Sequence, residues 1–182
     1  MCDQQLKQWF ALRVTYGREL KFQALLDDAG YETFVPMVIK RVERGGKQEK
    51  KLVPAVSNLC FVRSEQETLH DFFHSLGDTC PARFIWDKAT RLPVVISDKA
   101  MRDFITISKA MVDDTVYLSE VSQKLREGQE VVVMEGPFAG IQGRVVRIRR
   151  SRRVMVELPG MMAVATTYIP LHFLKPVSND DK

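Results

Sequence analysis

The sequence predicts an α+β protein: an antiparallel sheet sandwiched with helices over residues 1–110, a linker over 111–125, and a small β-barrel over 126–176. Two observations carry this. Periodic segments up to residue 110 run strand, helix, strands, helix, strand, helix, which is too short for a doubly wound fold. The stretch Glu127–Leu158, EGQEVVVMEGPFAGIQGRVVRIRRSRRVMVEL, then changes character to Val, Gly and Arg with short strand-like runs. A third observation divides the chain electrically. Residues 121–182 hold 10 Lys+Arg against 6 Asp+Glu, while residues 1–120 hold 17 of each, so the whole net charge of +4 lies in the last third.

In the first part, Trp9–Val14 (WFALRV) reads as a strand. Gly17 opens a helical pattern in which Phe22, Leu25, Leu26 and Ala29 lie at i, i+3, i+4 and i+7, and Gly30 stops it. Tyr31–Ile39 is extended, with Pro36 marking an edge or bulge. Residues 37–53 form a long hairpin around Arg44-Gly45-Gly46-Lys47. Its Arg41, Arg44, Lys47, Lys50 and Lys51 serve either nucleic acid or protection of an edge. Val56–Arg63 is a strand, Gln66–Leu76 a short helix, and Phe84–Trp86 strand-like. Ser97 is an N-cap for a helix carrying Met101, Phe104, Ile105 and Ser108. Residues 111–125 show no period and read as the linker. Five short strands fit between Glu127 and Pro176, and 177–182 is a polar tail.

Composition excludes several classes. With 45% apolar residues over 182, the chain is globular rather than disordered. No run approaches the ~20 apolar residues of a membrane span, and MCDQQLKQWF has no secretory pattern. Cys2, Cys60 and Cys80 are odd in number and lack CxxC spacing, which fits reduced thiols in a cytoplasmic protein. His70 and His74 at i, i+4, with Cys80, lack a fourth zinc ligand, so no metal is expected. No nucleophile–base pair or carboxylate dyad appears, so neither an enzyme nor a cofactor is expected. The glycine loop fails as a phosphate cradle. A P-loop needs Lys-Ser/Thr after its last glycine, where this chain has Arg144-Val145, and a strand rather than a helix follows. The six arginines of 144–153 read either as a phosphate-facing patch or as a solvated turn.

Two segments resemble one family. GQEVVVMEGPFAGIQGRVV resembles a KOW motif, found in ribosomal proteins and in NusG-type transcription factors. WFALRVTYGRELKFQALLDDAGYETFVP, PAVSNLCFVR at 54–63 and LPVVISDKAM at 92–101 resemble a NusG-type N-terminal domain in the right order. Within PAVSNLCFVR, Pro54, Asn58, Phe61 and Val62 match the family's pattern, and Ala55, Val56, Ser57 and Leu59 depart from it. The departures, and Asn58 in place of Gly, are similar to operon-specific paralogues related to RfaH.

The resemblance implies an SH3-like C-terminal barrel and a transcription elongation or antitermination factor. Its N-terminal domain would bind the clamp helices of RNA polymerase and suppress pausing or termination. It implies Val56, Asn58, Leu59 and Phe61 as the polymerase contact, with Leu59 and Phe61 on one face of the strand. His70, Asp71 and Phe72 are the candidates for a gate-loop contact, and Arg13, Arg18 and Lys21 for upstream or non-template DNA. In the barrel, Gly136, Phe138, Gly140, Ile141, Gly143 and Arg144 form the loop, with Phe138 and Ile141 either touching ribosomal protein S ten or Rho or capping the barrel's open end. A monomer is expected. The alternative is a ribosome- or RNA-binding KOW protein, which leaves the N-terminal half unexplained.

Overall fold

The computed structural model describes residues 6–44, 47–110, 116–118, 128–148, 150–158 and 161–177. The expected Gly45-Gly46 tip, most of 111–125, Cys2, Arg149 and the end of the tail lie outside them. The chain divides into two compact units, Met1–Pro36 with Pro54–Met101, and Met37–Val53 with Arg102–Lys182. No described helix is long and apolar enough to cross a membrane.

The first unit is built on β1 (Gln8–Val14), β2 (Glu32–Phe34), β5 (Leu59–Ser64), β6 (Ala82–Phe84) and β7 (Val95–Ile96). The order is β2-β5-β1-β6, with β7 also on β1, and all pairings are antiparallel. Helix α1 (Glu19–Asp28) follows β1, and α2 (Gln66–Leu76) follows β5. Cross-strand register puts Phe10, Leu12, Cys60, Val62 and Phe84 on one face. Ring contacts carry that face up to both helices: Phe10–Phe84 at 5.4 Å, Phe84–Phe73 at 5.4 Å and Phe73–Phe22 at 6.2 Å. The Cys60 thiol lies in this layer. Burial, reinforced by the charges of Asp27 and Glu19, pushes it up to about 12. An unfolded thiol ionises from about pH 9 while the folded one stays protonated, so the unfolded state binds fewer protons and stability falls as pH rises from 9 towards 12. Denaturant titrations of wild type and Cys60→Ala across that window should converge as pH rises.

The opposite face holds Trp9, Ala11, Leu59 and Phe61, all buried. Arg63 lies on it too, its Nε and Nη2 each donating at 3.1 Å to Asp98 in the first turn of α3 (Asp98–Ala110). The Ser97 hydroxyl accepts from the Ala100 N–H at 3.3 Å, the expected N-cap. Two expected strands move. The segment expected at Val56–Arg63 begins at Leu59, because Asn58 takes φ 63 and breaks the extended run. The run expected at Phe84–Trp86 is Ala82–Phe84, with Trp86 left in an isolated bridge to Pro93.

The second unit contains the hairpin β3 (Met37–Arg44) and β4 (Lys47–Pro54, to Val53), the end of α3, and the barrel. The five expected barrel strands are β9 (Glu130–Val133), β10 (Gln142–Ile148), β11 (Ser151–Leu158), β12 (Met162–Ala165) and β13 (Leu174–Pro176). Their order is β13-β9-β10-β11-β12. A sixth strand, β8 (Val116–Leu118), pairs antiparallel with β12 and comes from the segment read as linker. Its Tyr117 ring meets Phe104 at 6.1 Å, and its hydroxyl donates to the Met37 carbonyl at 3.5 Å. Val116 and Leu118 pack with Ile148 on a buried cluster of Val146, Met155, Ala163 and Ala165. Alternation along β11 therefore does not separate buried from exposed: Arg153 through Val156 are all buried.

Candidate functional site

The expected polymerase contact centres on β5. Leu59 and Phe61 do share a face, but that face is closed: Leu59 is 4% exposed and Phe61 0%. Register places Phe61 between Ala11 on β1 and Phe34 on β2. Four successive buried residues mark a strand covered on both sides. Val56 is half-buried and Asn58 exposed, so the turn before β5 is the part of the motif that solvent reaches.

That turn is held by a contact the sequence reading missed. Glu19, in the first turn of α1, is buried, and its carboxylate accepts the Asn58 N–H. The Asn58 carbonyl in turn accepts the Val14 N–H at 3.0 Å. Asn58 can hold φ 63 because its short polar side chain tolerates the left-handed region better than most. The basic candidates run from the end of β1 (Arg13) through the loop (Arg18) into the first turn of α1 (Lys21). Arg13, Arg18 and Lys21 are exposed. Arg18 lies 5.6 Å from the centre of the Tyr16 ring, which is itself 85% exposed at φ 62. Tyr16 was not singled out from the sequence. The Tyr-Gly pair where a strand turns into a helix was the available signal.

On α2, His70 and Asp71 are exposed, whereas Phe72 is half-buried with its ring 5.3 Å from Tyr31. The three expected gate-loop residues therefore do not form one open surface. The His70 ring packs on His74 at 4.5 Å, and the Cys80 thiol donates to the Ala82 carbonyl at 3.5 Å. Burial and the Asp71 charge raise the Tyr31 phenol above its usual range.

In the barrel loop, Gly136 and Gly140 sit at φ 85 and 86, conformations costly for other residues. The Gly140 N–H donates to the Val133 carbonyl at 2.7 Å and the Val133 N–H to Ile141 at 2.9 Å, so the loop folds back onto β9. Phe138 is 4% exposed and Ile141 3%. This burial agrees with the reading of Phe138 and Ile141 as a cap; Met134, Glu135, Pro137 and Ala139 are the loop residues that face solvent. Gly143 is on β10, where a Cβ would meet the Met155 carbonyl oxygen at 2.4 Å. Arg144 pairs with Glu130 at 3.1 Å across the half-exposed rim.

Comparison with known proteins accounts for both units. A family model described as transcription termination factor NusG matches residues 7–105, and one described as the KOW motif matches 127–157. The transcription termination/antitermination protein NusG of Thermus thermophilus is 26% identical over 169 residues, covering 84% of this chain and 90% of its own. A solved structure of Thermotoga maritima NusG, described by its domain interaction, covers 94% of this chain and 98% of its own at 15% identity and a TM-score of 0.45. The first match spans more than half of the 182 residues and includes the N-terminal half that a bare KOW protein would leave unexplained. The chain belongs to the NusG family of transcription termination and antitermination factors, which are not enzymes.

Proposed function

We propose that this protein binds the clamp helices of RNA polymerase through its first unit and suppresses pausing or termination, while the barrel docks a second partner such as ribosomal protein S ten or Rho. Such a factor breaks no bond. It binds the elongating polymerase more tightly than the paused one and shifts the population between them. The observation that carries the reading, beside family membership, is the solvent-facing turn ending at Asn58, pinned from below by Glu19. Val56 and Asn58 make the contact at its rim, and Leu59 and Phe61 act as the floor that fixes its shape. Arg13, Arg18 and Lys21, with Tyr16, face upstream or non-template DNA. His70 and Asp71 face the gate loop, and the solvent-facing residues around Phe138 and Ile141 meet the barrel's partner. The setting is the cytoplasm, and the protein acts as a monomer.

Capture of core polymerase by Val56→Asp/Asn58→Asp should fall at least tenfold while the thermal midpoint moves by no more than about 2 °C, since surface changes stay near ±0.5 kcal/mol. Unchanged capture by this variant would remove the turn from the interface. In vitro transcription through a pause site, with and without the protein, reads the proposed effect directly.

A further inference from the structure

Three arginines at the closed end of the β10–β11 hairpin, Arg147, Arg150 and Arg152, enter no ion pair among the described residues. The register sets Arg147 directly opposite Arg152, on the same face, and Arg150 occupies the connecting turn at φ 65. Arg147 and Arg150 are exposed, and Arg152 is half-buried. Among the described residues, none of these three is ion-paired to a carboxylate; the barrel's described ion pair, Arg144–Glu130, uses the other face of β10. Like charges directly opposite on a sheet repel, so a fold that sets two guanidiniums side by side gains when an anion bridges them. A second observation narrows the anion. The Ile169 N–H donates to the Arg152 carbonyl at 3.3 Å, which brings the 168–170 segment alongside the hairpin, and Tyr168 there is 59% exposed.

We propose that this hairpin end, with Tyr168, is a binding site for single-stranded nucleic acid. Guanidiniums take phosphodiester oxygens bidentately, and an exposed ring offers a stacking surface for an unpaired base. An acidic polypeptide would use the charges but leave the ring without a role. A duplex keeps its bases stacked inside and would likewise leave it idle. The site lies in the barrel and stands whether or not the polymerase reading of the first unit holds.

The test is fluorescence anisotropy of the full chain with labelled mixed-sequence single-stranded RNA and DNA over a salt series. Arg147→Gln/Arg150→Gln/Arg152→Gln should weaken binding at least tenfold and flatten the log–log salt slope by about 2, the loss of three phosphate contacts on a single strand. Tyr168→Ala should weaken binding about tenfold with the slope unchanged, because stacking releases no counterions. Arg147→Lys/Arg152→Lys should keep the slope. Arg13→Gln/Arg18→Gln/Lys21→Gln, in the other unit, must leave both barrel effects in place. The RNA and DNA arms tell which strand is preferred. The proposal is overturned if the triple glutamine variant, folded by circular dichroism, keeps wild-type affinity and slope. It is equally overturned if poly-glutamate displaces the oligonucleotide at equal charge and Tyr168→Ala has no effect.

Discussion

Replacing Phe61 with alanine is expected to destabilise the first unit by about 3–5 kcal/mol, the range for truncating a fully buried phenylalanine. Phe61 has no exposed surface and sits mid-sheet on β5, so the neighbouring strands cannot collapse into the space without losing their pairing. For a chain of this length the thermal midpoint should drop by roughly 6–20 °C. The prediction decides between two roles. If Phe61 were a contact residue, its alanine variant would keep its melting temperature and lose polymerase. As a core residue it should lose stability first, and any loss of polymerase capture should track the unfolded fraction. Scanning calorimetry beside a pull-down below the new midpoint separates them. A midpoint shift under about 2 °C with capture abolished would restore Phe61 to the interface.

Gly143→Ala should damage the barrel severely. The added carbon would lie 2.4 Å from the Met155 carbonyl oxygen and 2.9 Å from Val154 Cγ1. The first is backbone in a paired strand, so relief requires moving β11 away from β10. Overpacking of this kind costs about 1–3 kcal/mol, occasionally more, and a main-chain clash belongs at the upper end. Gly140→Ala is the internal control. Its φ of +86 strains any side chain, yet nothing lies within 4 Å, so about 1 kcal/mol is expected from conformation alone. Urea titrations followed by near-ultraviolet signals should rank Gly143→Ala well below Gly140→Ala. The reverse order would mean that the loop, not the strand contact, is what requires glycine.

These two residues also show what local pattern can and cannot reveal. Periodicity located α2 at Gln66–Leu76, and the Ser97 cap and five barrel strands were legible for the same reason: each depends on neighbours within a few positions. Parity along β5 correctly put Leu59 and Phe61 on one face. Whether that face meets water is decided by distant segments, and nothing between residues 54 and 63 encodes it. Phe138 misleads similarly, because an aromatic on a glycine-rich loop looks offered to a partner when the loop has folded it inward. Helical spacing alone gives no sign that the Glu19 carboxylate is buried against the Asn58 amide, a contact between residues 39 positions apart. Val116–Leu118 became a strand only because β12 presented an edge for it.

That sixth strand bears on the order in which the molecule assembles. The β10–β11 pair joins Ile148 to Ser151, three positions apart, and can form early, whereas β8 must bring Leu118 to Ala163 across the whole intervening barrel. Loop-closure entropy makes such a contact late in folding and early in fraying. Amide hydrogens along the outer edge of β12 should therefore exchange with solvent before those shared by β10 and β11.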